Sequence, residues 1–136
     1  MQRLLTAAAL VLLFTHAVTA QEGFRSPSGN IHCQFFEGDG NAAIRCDLRE
    51  ISNRPPPRPR SCDLDWGHAF EIAWSGAAGT RLCYGDTVQD NRLPVLPYGQ
   101  SWQRAGFACT SEKSGVTCRN AGGHGFTLSR AVHRVF

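Results

Sequence analysis

The sequence predicts an all-β protein, a small antiparallel sandwich or barrel of about seven short strands stapled by three disulfides. Three observations carry that expectation. Gly, Pro, Asn and Asp break the chain roughly every eight to twelve residues into short strand-like runs. Stretches with a helical period are scarce. Six cysteines stand in a chain of 136 residues, all of them downstream of what reads as an export signal.

Met1-Gln2-Arg3 is a short positive start, 4–14 is almost wholly apolar, and Ala17-Val18-Thr19-Ala20 supplies small residues before a cut. This is the order of a secretory signal peptide, expected over 1–20 with cleavage after Ala20. An apolar run of about eleven residues is too short for the roughly 30 Å hydrocarbon core. Gln21, rather than Cys, argues against a lipid-modified start. Residues 21–136 then form a single disulfide-stabilised β domain, secreted or periplasmic, with no membrane span after cleavage. The net charge is +3, and loss of Arg3 lowers it by one. Without a clustered patch that excludes a nucleic-acid partner. Lys113 is the only lysine, which coding bias explains as well as any binding role.

The expected strands are 30–36, 42–48, 69–74, 80–84, 101–109, 115–120 and 125–129. The first two flank Glu37-Gly38-Asp39-Gly40-Asn41, a strong turn signal. A second hairpin folds about Ser111-Glu112-Lys113-Ser114-Gly115. The tail after Ser129 reads as one helical turn or a last strand. The β-branched Val132 and Val135 favour the strand.

No cysteine lies in a C-x-x-C pair, so neither a thioredoxin-like site nor a zinc ribbon is supported. An even count behind a signal peptide reads as disulfides. Six cysteines admit about 15 pairings, and local geometry prefers one of them. The first hairpin brings Cys33 beside Cys46, the second brings Cys109 beside Cys118, and elimination leaves Cys62 with Cys83. Each bridge contributes about 2–4 kcal/mol. A chain of this size buries only about two thirds of its surface, so the bridges matter.

Arg54-Pro55-Pro56-Pro57-Arg58-Pro59-Arg60 dominates a Pro/Arg-rich loop at 53–61. Prolines lack the N–H of a sheet ladder, which makes this an extended, polyproline-like segment. A stiff connector is the favoured reading over a docking element. A weak echo between Ser26-Pro27-Ser28-Gly29-Asn30-Ile31-His32-Cys33 and Ser111-Glu112-Lys113-Ser114-Gly115-Val116-Thr117-Cys118 is consistent with a duplicated hairpin.

Several marks stand along the chain: Ser26-Pro27-Ser28-Gly29-Asn30-Ile31 before Cys33, and Cys62 followed by Asp65-Trp66-Gly67. Cys83-Tyr84-Gly85-Asp86-Thr87, Leu96-Pro97-Tyr98-Gly99 and Ser114-Gly115-Val116-Thr117-Cys118-Arg119-Asn120 follow, with Gly123-His124-Gly125-Phe126 and Ser129-Arg130. In these the chain resembles a bacterial family of small exported proteins with a domain of unknown function. The resemblance covers nearly all of 21–136 and implies an extracytoplasmic protein with paired cysteines. It implies no activity and no catalytic residues.

Asp86 beside Gly85 reads first as a turn residue bonding its own backbone, and only second as a general base. His124 between glycines is an accessible imidazole without an identified partner. His32, His68 and His133 have no metal-ligand spacing with it, so no metal and no cofactor are expected. Asp63, Asp65, Glu71 and Asp86 supply carboxylates, but sequence cannot set the separation a glycosidase needs. Ser26, Ser28, Ser111, Ser114 and Ser129 lie in turns, none in a G-x-S-x-G elbow. Among the aromatic residues Trp66, Trp74, Trp102, Tyr84, Tyr98 and Phe126, most fill the core. Trp66 and Tyr98, each beside glycine, are the exposed candidates. With His124 and Arg130 they form the expected binding set. The leading function is a small binding or structural module of the cell envelope, taking an extracellular protein or a glycan. Second is an inhibitor of an extracellular protease or lysozyme acting through the 53–61 loop; third, a small hydrolase pairing His124 with a carboxylate.

Overall fold

The computed structural model describes residues 22–136, so the signal expected over 1–20 lies outside the described residues. The chain runs through β1 (Gly23–Arg25), β2 (Ile31–Gly38), β3 (Asn41–Leu48), β4 (Asp65–Ala73) and β5 (Thr80–Tyr84). It continues through β6 (Ser101–Arg104), β7 (Phe107–Glu112), β8 (Gly115–Arg119), β9 (Gly125–Leu128) and β10 (His133–Val135). The first five strands make one sheet and the last five another, each ordered as in sequence. Every pairing is antiparallel. The fold is sandwich-like: two meanders, in which each strand pairs with its chain neighbour. Among the described residues no helix is long and apolar enough to cross a membrane.

Local chemistry sets the strand ends. Asp39 and Gly40 both take left-handed φ, 51° and 74°, between the paired Gly38 and Asn41. That two-residue turn matches the twist of β2 and β3. Ala105 and Gly106, at 49° and 85°, do the same between β6 and β7, so the strand expected over 101–109 is two strands. Alanine gives no turn signal there. β4 begins at Asp65 rather than at 69, passing through an irregularity between Trp66 and Phe70 where Gly67 has φ 116°. Strand β1 was not foreseen. It pairs with β2 through Phe24 and Cys33, and its far edge receives the Leu96 N–H at the Arg25 carbonyl, 2.9 Å. The tail is a strand, β10.

The core lies between the sheets and joins residues of both into one cluster. Phe24 meets Trp102, Phe35 meets Phe107, and Phe70 meets Phe126, with ring centroids 5.9, 6.0 and 6.2 Å apart. At its centre are two disulfides. Cys33 and Cys46 are register partners on β2 and β3, and Cys109 and Cys118 on β7 and β8; each pair has Cα atoms 4.1 Å apart. All four residues are fully buried. The Cys46 and Cys118 sulfurs touch across the sandwich at 3.9 Å. The third bridge joins Cys62, ahead of β4, to Cys83 on β5. Each bridge stays within one meander.

After β5 the chain lies as a strap, 85–96, across the outer face of β2 and β3. It ends beside β1 in a parallel bridge between Arg25 and Val95. Only then does it enter the second sheet.

Candidate functional site

A cleft of about 720 Å³ opens at one end of the sandwich. At this end β2 starts and β3 finishes, while β7 and β9 finish and β8 starts. Its walls therefore come from both sheets. The Ser-Pro-Ser-Gly-Asn turn forms one lip and is bonded to itself. Ser26 Oγ accepts the Ile31 N–H at 3.0 Å, Ser28 Oγ accepts that of Asn30 at 3.2 Å, and the two hydroxyls lie 3.1 Å apart. The Asn30 side chain then exchanges two hydrogen bonds with the Glu50 backbone, 3.1 and 2.8 Å. On the facing lip Ser129 Oγ accepts the Val132 N–H at 3.0 Å. These hydroxyls and amides hold the turns in place.

The groups left for a ligand are few. Tyr98 sits at a turn closed by the Gln100 N–H on the Pro97 carbonyl, 3.0 Å. The left-handed φ of 83° at Gly99 permits that turn. Tyr98 is 44% exposed. Arg130 pairs with Glu50 across the cleft, second sheet to first. Arg49, Glu112 and Lys113 also line it, are exposed, and have no ion-pair partner among the described residues.

Of the four residues expected to converge, Tyr98 and Arg130 line this cleft and Trp66 and His124 do not. Trp66 is half-buried in β4, and its indole N–H donates to the Pro56 carbonyl at 2.9 Å. Beside it, a side chain on Gly67 would come within 3.1 Å of the Pro55 ring. The Trp66-Gly67 pair thus seats the proline-rich loop. His124 lies in the β8–β9 turn, at the other end of the second sheet. Its backbone N–H donates to Asn120 Oδ1 at 3.0 Å, and Asn120 is tied in turn to the carbonyls of Ala73 and Gly76, at 3.1 and 2.8 Å. Gly125 is demanded by backbone contact, since a Cβ there would sit 1.8 Å from the Cys118 carbonyl oxygen. Among the described residues, the grouping of metal-ligand atoms is Cys33, Cys46 and Cys118, whose sulfurs are consumed in disulfides.

Asp86 is held by Arg45, whose Nη1 donates to its carboxylate at 2.9 Å. That bond keeps the Asp86 carboxyl below the usual carboxylate range. Burial pulls the Arg45 guanidinium down, but its bonds to Asp47 and Asp86 outweigh this and leave it above its ordinary value. The residue overlooked by sequence is Asp47, 1% exposed. It accepts from Arg45 Nε and Nη2 (2.9 and 3.0 Å), from Thr87 Oγ1 (2.9 Å) and from the Val88 N–H (3.0 Å). His32 works beside it, Nδ1 accepting the Asp90 N–H at 3.1 Å and Nε2 donating to the Gly29 carbonyl at 2.9 Å. Together they fasten the strap. Strand alternation puts both residues on an outward face, and no local signal says that a distant loop will cover it.

The model of a family described as a family of unknown function, DUF6636, matches residues 4–136. No curated protein and no solved structure matches the chain.

Proposed function

We propose that the chain, which belongs to the DUF6636 family of unknown function, is an exported binding module of the cell envelope. Its end cleft takes an extracellular glycan or protein. Support comes from one arrangement: unpaired charges and an exposed ring sit on turns whose own polar groups are already bonded. Turns held in this way lose little backbone entropy when the surface binds. Three disulfides fit an oxidising compartment. The test is backbone amide NMR of the oxidised protein titrated with a panel of envelope saccharides and peptides. Shifts should cluster at 26–31, 49–50, 98, 112–116 and 129–131. Saturable shifts confined to other surfaces, or none with any probe, would sink the reading.

The inhibitor reading keeps one observation in its favour. The 53–61 loop is stiff, held at Pro56 by Trp66 and at Pro59 by the Cys62 N–H at 3.0 Å, and it exposes Arg54 and Arg60. Its chemistry suits a protease poorly. Arg54 and Arg58 are followed by proline, and Arg60-Ser61 lies inside a turn rather than in an extended strand. A panel of proteases and lysozymes, assayed for slowed turnover, decides it. The hydrolase reading pairs groups from different sheets: the Asp86 carboxylate is bonded to Arg45 of β3, whereas His124 lies in the β8–β9 turn.

A further inference from the structure

The chemistry of the cleft narrows its ligand, given the reading of it as a binding site. Among its larger apolar lining residues, Ile31 and Val116 are 4% and 1% exposed and belong to the core. The accessible apolar surface is thus chiefly the Tyr98 ring, a single flat face. Apolar peptide side chains would need separate pockets, whereas a sugar ring offers one apolar face and polar edges all round. The charges are asymmetric. With Arg130 and Glu50 neutralising each other, two unpaired cations remain against one carboxylate, Glu112. The cations come from opposite sheets, Arg49 just past β3 and Lys113 from the β7–β8 turn. Neither has a partner among the described residues, in contrast to Arg25, Arg45 and Arg104, which are bonded elsewhere. An anion placed between the two lips gains charge-assisted hydrogen bonds from both.

We propose that the cleft is a site for an anionic saccharide. A sugar ring lies on Tyr98, its carboxylate or phosphate is received by Arg49 and Lys113, and its hydroxyls donate to Glu112. The Arg130–Glu50 pair, bonded across the cleft, leaves Arg49 and Lys113 as the cations free to take the anion.

The experiment uses isothermal titration and thermal unfolding of the oxidised protein with four probes: a uronate oligosaccharide, a phosphorylated sugar, a neutral oligosaccharide of equal length and an acidic peptide. The proposal expects binding of the uronate or the phosphorylated sugar, whichever supplies the anion. Affinity should fall with added salt, and the unfolding midpoint should rise with ligand. Arg49→Gln and Lys113→Gln should each weaken that binding about tenfold, with the unliganded midpoint unchanged. Tyr98→Ala should weaken it while leaving the salt dependence in place. Equal binding of the neutral oligosaccharide, or charge variants without effect, would overturn the anion subsite and leave the cleft as a binding site. Binding of the peptide alone would overturn the saccharide assignment in the same way. If no probe binds and none shifts an amide of the cleft, both readings fall.

Discussion

Asp47 shows how one carboxylate can determine where a distant segment lies. Its oxygens take four hydrogen bonds, two from Arg45 of its own strand and two from Thr87 and Val88 of the strap. Asp47→Ala would leave a guanidinium with an 11% exposed side chain short of its main partner. The expected loss is about 3–5 kcal/mol in chemical denaturation; Asp86→Ala, at a solvated carboxylate, should lose far less. His133 is a second residue with a measurable signature. Burial and the Arg81 charge hold its imidazole below the ordinary 6.5, against weaker opposing bonds to the Arg130 and Ser129 backbone. The fold thus binds this proton less readily than the unfolded chain does. The stability involved is complete above about pH 6.5 and is lost as pH falls through the lower folded-state value. Denaturation midpoints taken between about pH 7.5 and 5 should decline less in His133→Gln than in the natural protein. Neither role was legible in the sequence. Alternation reports which way a side chain points, and says nothing of what a later segment lays over it.

The hairpins form a natural series. Asp39-Gly40 and Ala105-Gly106 adopt the same left-handed pair of conformations, and both have glycine second, yet only the first has a favoured residue in the first position. Alanine in that region costs about 1–2 kcal/mol. Ala105→Asn should recover about 0.5–1 kcal/mol of stability, read as a higher midpoint with an unchanged slope. The same mismatch explains why β6 and β7 read as one strand, while the Gly-Asp-Gly turn between β2 and β3 was plain. The start of β4 is hidden for a related reason. Asp65-Trp66-Gly67 has glycine where a strand signal would be, and in the fold it is an irregular strand end with little room for a side chain beside Pro55.

At the scale of the whole molecule, the β class and the hairpin positions of four cysteines follow from local spacing. A two-residue turn sets the register, and the register sets which sulfurs meet. The cleft does not follow from spacing. It is assembled from turns near residues 28, 50, 98, 113 and 130, brought together only when two meanders dock. Tyr98, expected to be exposed beside its glycine, lies there with Arg130 of the same expected set; Arg49 and Lys113 carried no mark that set them apart from any solvated charge. His124 is made conspicuous by glycines that serve the backbone: Gly125 is set by the tight approach of β9 to β8, and Gly123 by a left-handed φ of 83°.

Because every sulfur bridge stays within one meander, a single peptide connection is the only covalent tie between the two halves of the described chain. An engineered protease site between Arg92 and Leu93 would place a nick in the strap, where the Arg92 side chain is 91% exposed. The cut protein should travel as one particle under native conditions, with its halves held by interlocked aromatic rings. In denaturant without any reductant it should part into two pieces of unequal mass. The protein would thereby become a pair of separable, individually cross-linked partners, each available for recombination with a variant of the other.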